Sequence, residues 1–265
     1  MGEFYKTYDD KIIKYNYLMN FQILFRKLEF DIAPTGCFLQ LSASKLSFCI
    51  DVPEAFVPQN FFASKLFEFV EVRVNHVTVS MKSSDNDYFL TDYFNTLTNF
   101  DGLMLQTTGS LECFFDNDNV DASMFIGNKE KIQSRRKYAN LIIDADGNKS
   151  YRYHIIMKLN IGLAMASKPL PKEVPLKLIF YRSAPEKALL RALDDDHNVK
   201  LTLINPLLEA SFIESEYFDK KLALRKIPRL RFPYLERTIR RELLMDGIDQ
   251  FKIKLAEGKQ IFVRN

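Results

Sequence analysis

The sequence predicts an all-β fold, a sandwich or jelly roll with short helices in its connections. Three observations carry that expectation. Several segments alternate apolar and polar residues with period two, the pattern of strands with one face on a core. Turn chemistry separates them, as at Asn75-His76 and at Asp144-Ala145-Asp146-Gly147-Asn148. No strand–helix–strand alternation of the kind that builds a parallel sheet is present.

Residues 12–25 mix aromatic and aliphatic side chains without a clean period, so helix and strand both remain open there. Leu46, Phe48, Ile50 and Val52 alternate with Ser47, Cys49 and Asp51, which reads as a strand. Pro53 and Pro58 bracket its exit, where a ladder must stop. Val70, Val72 and Val74 then alternate with Glu71, Arg73 and Asn75, and Val77, Val79 and Met81 with Thr78 and Ser80. Asn75-His76 suits the two-residue turn between them, because Asn tolerates the positive φ that such turns require.

Residues 87–99 read as a helix with Phe89, Leu90, Tyr93, Phe94 and Leu97 on one stripe, and Ser83, Ser84 and Asp85 offer its start signal. Residues 102–140, rich in Asp and Asn, read as a long loop inserted between strands. Residues 151–163 carry the longest strand signal, with a hairpin turn before them. Val174 to Arg182 is another strand and Pro185 to Leu193 a short helix. Val199 to Ile204 is a further strand that Pro206 ends or kinks. Phe251, Ile253 and Leu255 suggest one more.

The bulk composition narrows the function. At 265 residues the chain can bury a large core as one β domain or two smaller ones. The 23 Phe and 12 Tyr raise the aromatic share to 13%, with no Trp. Only 9 Gly is low for a protein built around phosphate-cradling loops, and a net charge of +3 does not by itself argue for nucleic acid. Cys37, Cys49 and Cys113 are odd in number and far apart, which argues against a disulfide framework and for a reducing compartment. In its alternating strand Cys49 reads as a small hydrophobe. The N-terminal residues, interrupted by Lys11, Lys14 and Arg26, suit neither a signal peptide nor a membrane span, and Lys6 breaks the myristoylation pattern after Gly2. A soluble, intracellular protein is the expectation.

No residue pattern points to catalysis. The nucleophile elbow, both glycine-rich nucleotide loops and the zinc-protease helix motif are all missing. The run from Asp116 to Asp121 has Asp121 and Gly127 where a calcium loop needs Gly and Glu. Asp194, Asp195, Asp196 and His197 are adjacent in a turn, where side chains seldom converge on one ion. His76, His154 and His197 lie in three separate segments without visible partners. The sequence thus gives no catalytic residue, no metal ligand and no cofactor.

One stretch stands out as a binding surface. Lys220, Lys221, Arg225, Lys226, Arg229, Arg231, Arg237, Arg240 and Arg241 face a single acidic residue, Glu236. Leu222, Leu224, Ile227, Leu230, Phe232 and Tyr234 interleave with them. Such a stripe suits phosphates or an acidic partner subunit, and equally a solvated face with snorkelling stems.

The order of motifs from Asn60 onward carries a resemblance. NFFASKLFEFVEVRVN, then S-S-D-N-D-Y, then a Tyr/Phe-rich helix ending TLTNF, resembles the major capsid proteins of Polinton/Maverick-type elements and adintovirus-like viruses. FDIAPTGCFLQLSASKLSFCIDV is similar to that family's opening strands, and LKLIFYRSAPEKALL to its R-x-x-P-x-x-x-L strand and turn. VKLTLINPLLEASFI and the later RFPYLERTIR resemble the stretch that begins its second barrel. The likeness is collinear over roughly residues 28–245.

The resemblance implies a jelly-roll capsid subunit that self-associates, as trimers, into a shell around double-stranded DNA, with a minor capsid protein and DNA as further contacts and no membrane. It implies residues 1–27 as an N-terminal arm, 28–200 as a first jelly roll and 201–265 as the start of a second, incomplete one. Residence would be in the virion or inside the cell. A chain ending there is truncated or repurposed by a host, for which the alternative role is a transposon-derived module whose basic stripe holds nucleic acid or an acidic partner.

Overall fold

A computed structural model describes residues 11–17, 27–80, 87–99, 101–115, 128–166, 168–191, 199–216 and 219 of the chain. Twelve strands and four helices are defined there: β1 (Lys11–Tyr17), β2 (Lys27–Ile32), β3 (Phe38–Leu39), β4 (Lys45–Pro53), β5 (Phe56–Pro58), α1 (Phe62–Lys65), β6 (Phe67–Val74), β7 (Val77–Ser80), α2 (Asp87–Asn99), α3 (Gly102–Met104), α4 (Lys129–Arg136), β8 (Ala139–Ile143), β9 (Lys149–Lys158), β10 (Leu176–Arg182), β11 (Leu189–Arg191) and β12 (Leu203–Glu214).

Eight of the strands fold as nested antiparallel pairs. β1 pairs with β12, β2 with β10, β4 with β9 and β6 with β7. Two further pairings, β12 with β4 and β10 with β6, join these hairpins into sheets of order β1-β12-β4-β9 and β2-β10-β6-β7. Counted along the chain, the orders are first-eighth-third-sixth and second-seventh-fourth-fifth. A long hairpin wound around a barrel gives that order, so the fold is a jelly roll. β8 extends the first sheet beyond β9 through a hairpin, and β3 adds to β12.

The core lies between the two sheets. Leu46, Phe48, Ile50 and Val52 of β4 and Tyr153, Ile155 and Met157 of β9 face Phe30 of β2, Val70 and Val72 of β6, and Leu178 and Phe180 of β10. Phe67 joins the layers: its ring meets Phe48 edge to face at 6.1 Å, Phe180 at 5.1 Å and Tyr88 at 6.1 Å. Such aromatic contacts add to the burial of apolar area that dominates the stability of the sandwich.

The hairpin at Asn75-His76 forms as expected, with φ of 49° and 65° at the two turn residues. The 87–99 helix and the 176–182 strand also form within a residue or two of their sequence bounds. Other segments differ. β9 stops at Lys158, although Leu159, Ile161 and Leu163 are still buried, from the turn that follows. Of the two roles read for Pro206, ending or kinking the strand, β12 shows the second. The strand slips register between Ile204 and Leu207, with Asn205 at φ 48°, so the missing proline N–H falls in a bulge. After one helical turn at Pro185–Lys187, the expected short helix becomes β11, paired with β5.

The described part of the expected 102–140 loop holds α3, a wider helical turn at Leu105–Gly109, α4 and β8. Two of its helices have side-chain caps: Asp101, just before it, accepts from the Met104 N–H at 2.8 Å and Asn128 from the Lys131 N–H at 3.2 Å. β1 and β12 belong to the same sheet as β4 and β9, so this barrel takes in residues on both sides of the 28–200 span drawn from sequence.

Candidate functional site

The connection between β7 and β9 carries the most unusual chemistry. Within it α2 is turned against its apolar stripe. The expected inward residues Phe89, Leu90 and Tyr93 are only half-buried, and Phe94 is exposed. Tyr88, Thr91, Asp92, Asn95 and Thr96, at helical spacing on the opposite face, are buried instead. The barrel end that receives them is polar. The Tyr88 hydroxyl donates to the Lys158 carbonyl and accepts from the Asn160 N–H, both at 3.3 Å, and the Asn160 side-chain amide donates to Asp92 at 2.6 Å. Leaving those backbone groups bare would cost more than covering them with a polar helix face.

Glu112 closes the cluster by accepting the Lys158 N–H at 3.0 Å. Burial pushes the Asp92 carboxyl up to about 6, against hydrogen bonds from Ser64 and Asn160 that lower it. Burial, reinforced by the Asp92 charge, pushes Glu112 up to about 7. Beside them Arg135, 2% exposed, donates to the Pro58 carbonyl at 2.9 Å and lies 4.4 Å from the Phe115 ring.

Several apolar side chains of this connection stay outside. Phe94 of α2, Leu103 and Met104 of α3, and Leu111 are all exposed, Leu103 by 69%. A second set lies at the edge of the first sheet, where Tyr138 and, on β8, Leu141 and Ile143 are exposed.

The outer faces of the sheets carry polar clusters. On the second sheet Glu71 is buried and accepts from Arg73 at 2.5 Å, Tyr181 at 3.0 Å and Thr78 at 3.1 Å. Burial alone would raise this carboxyl, but the three hydrogen bonds outweigh it and hold it below its ordinary value. Glu29 nearby is held down by Lys177 and Lys27. On the first sheet Arg152 grips both oxygens of Asp51, at 2.7 and 2.8 Å, and Cys49 Sγ lies 3.1 Å from His154 Nδ1.

The nine basic residues singled out from sequence, Lys220, Lys221, Arg225, Lys226, Arg229, Arg231, Arg237, Arg240 and Arg241, lie outside the described residues, as do the Asp116–Asp121 run, the Asp194–His197 run and the 251–255 strand. His76 is exposed in its turn and His154 faces outward on β9. Among the described residues no three His, Cys, Asp or Glu side chains gather as metal ligands, and no helix is long and apolar enough to cross a membrane. The Asp92–Glu112 pair is hidden in the sequence because its signal is two-sided. A polar stripe of Tyr88, Thr91, Asp92, Asn95 and Thr96 accompanies the aromatic one, and hydrophobicity alone chooses the wrong face.

No family model matches the chain, and no curated protein matches it. Among solved structures it is similar to a quasi-atomic model of the PBCV-1 virus capsid, at 11% identity and a TM-score of 0.46, over 83% of this chain and 46% of that one. It is also similar to the crystal structure of PBCV-1 VP54 fitted into a cryo-EM reconstruction of the virophage Sputnik, at 11% identity and a TM-score of 0.45, over 84% of this chain and 47% of that one. The chain thus spans about half the length of these structures. The jelly-roll assignment rests on the strand order.

Proposed function

We propose that the chain is a jelly-roll subunit of a virus-like shell, acting by self-association, of the kind found in Polinton/Maverick-type elements and adintovirus-like viruses. The observation that carries self-association is the set of exposed apolar side chains in the connection between β7 and β9: Phe94 on the inverted α2, and Leu103, Met104 and Leu111 after it. A monomer gains nothing from so much bare apolar surface, whereas a subunit contact uses it. The strand order and the collinear motifs supply the rest. The described residues of the segment that carries the resemblance form α1, the β6–β7 hairpin and α2. The assembly this reading gives is a trimer within a shell around double-stranded DNA, located in the virion.

Sedimentation velocity of the full chain across a wide concentration range tests the reading. Trimers or larger symmetric particles are expected, with Phe94→Lys and Leu103→Glu shifting the population to monomer. A wild-type protein that stays monomeric at the highest concentration overturns it. A second reading, a module that holds nucleic acid, is favoured by the density of Lys and Arg between positions 220 and 241.

A further inference from the structure

The β4–β9 register sets Cys49 directly opposite His154, on the outward face of the first sheet. There the thiol is no part of the core: Leu46, Phe48, Ile50 and Val52 fill the inward positions on either side of it. Sγ lies 3.1 Å from Nδ1, within reach of a direct proton transfer. His154 is exposed and Cys49 half-buried, so both atoms meet solvent. One cation stands near: the Arg152 guanidinium is within electrostatic range of Cys49. That guanidinium, two residues along β9, is occupied by both oxygens of Asp51. On the other flank stands Ile204 of β12, at the edge of the bulge, with no charge to compete. The other two thiols contrast with this one. Cys37 and Cys113 are buried, and burial pushes the Cys113 thiol up to about 12.

We propose that Cys49 and His154 form a reactive thiol–imidazole pair, a modification site for exchange with a low-molecular-weight disulfide of the glutathione type. In the step, His154 Nδ1 takes the thiol proton as Sγ attacks one sulfur of the incoming disulfide. The Sγ–S bond forms as the S–S bond breaks, and one thiolate leaves. The imidazolium returns its proton to that thiolate, so Cys49 ends as a mixed disulfide with one thiol released. The two electrons that reduce the departing thiol come from Cys49. The product places a bulky, charged group on the outer face of the β12–β4–β9 sheet, where it blocks any surface that packs there.

The test incubates the native full chain with oxidised glutathione and follows intact mass and peptide maps over time. One mixed disulfide is expected, at Cys49, and Cys49→Ser abolishes it. His154→Gln, at an exposed position, is expected to slow the reaction on the order of a hundredfold with an unchanged melting temperature. As an independent reading, wild-type Cys49 is expected to react faster than the cysteine of an unstructured peptide under the same conditions, despite its partial burial. Equal rates for wild type and His154→Gln, or a Cys49 slower than the peptide, overturn the proposal. So does modification of Cys37 or Cys113 at a rate comparable with Cys49.

Discussion

Asn160 donates its side-chain amide to Asp92 at 2.6 Å, tying the exit of β9 to the polar face of α2. That bond sits in a buried cluster with Glu112, Tyr88 and the Lys158 backbone, and the cluster makes stability depend on pH. Both carboxyls are raised by burial, to about 6 for Asp92 and about 7 for Glu112, from ordinary values near 4. The folded protein therefore holds protons that the unfolded chain releases. Stability is greatest below about pH 4 as far as these groups are concerned, falls as pH rises from there to about 7, and is flat above. Glu29 and Glu71, held below their ordinary values, act in the opposite sense and lose their contribution as pH falls through the acidic range. Together these groups place the optimum in mildly acidic solution. Urea unfolding at pH 5 and pH 8 is expected to differ by on the order of 3 kcal/mol, and Glu112→Gln to remove most of that difference. A wild-type stability that rises between the two values sinks the account.

Phe67 is the side chain on which both sheets and α2 converge. It is fully buried and meets Phe48 from one sheet, Phe180 from the other and Tyr88 from the helix. Phe67→Ala leaves a cavity that three rigid rings cannot close. A loss of roughly 3–5 kcal/mol is expected, read as a lower urea midpoint at an unchanged slope. Phe69, two residues on, stacks on Tyr181 at 4.2 Å on the outer face. Its truncation costs less, because water already reaches that side.

What the sequence makes legible follows from how local each signal is. The β6–β7 hairpin and the β8–β9 turn are readable because their turn chemistry lies in four or five consecutive residues, such as Asp144 accepting from the Asp146 and Asn148 N–H groups. Whether Pro206 ends or kinks β12 stays open in the sequence because a bulge is a property of two strands in register. α4 and the first residues of β8 fall in the stretch read as loop for its Asp and Asn, one of which, Asn128, is the cap of α4. The partners Cys49–His154, Asp51–Arg152 and Glu71–Tyr181 are each separated by a hundred residues or more. Only the nested pairing of the strands brings them together.

His76 holds a left-handed backbone with φ of 65°, next to Asn75 at 49°. Such a conformation costs a β-carbon-bearing residue roughly 1–2 kcal/mol, and Asn-Gly is the sequence that fits a turn of this type. His76→Gly removes that strain at an exposed position and loses part of the gain to the greater freedom of glycine in the unfolded chain. A net gain of about 0.5–1 kcal/mol is expected, read as a higher melting temperature. Asn75→Val is expected to do the reverse, since a β-branched side chain tolerates positive φ poorly. If His76→Gly lowers the melting temperature, strain is not what limits this turn.

The basic stripe separates the two readings of function. If it holds phosphates, Arg229, Arg231, Arg240 and Arg241 each release counterions on binding, and their removal lowers affinity evenly across sequences. For double-stranded DNA the slope of log affinity against log salt is expected to fall by about 0.9 for each phosphate that is no longer neutralised. The fourfold Arg→Ala variant then binds more weakly than wild type at low salt and nearly equally at high salt. If the stripe is instead a contact between subunits, the same variant shifts the sedimentation profile toward monomer and lowers DNA affinity no further than the loss of assembly alone does. Phe94→Lys provides the cross-check: it weakens assembly through the α2 surface without touching a basic residue, so any DNA affinity that depends on assembly drops with it, while affinity carried by the stripe alone does not.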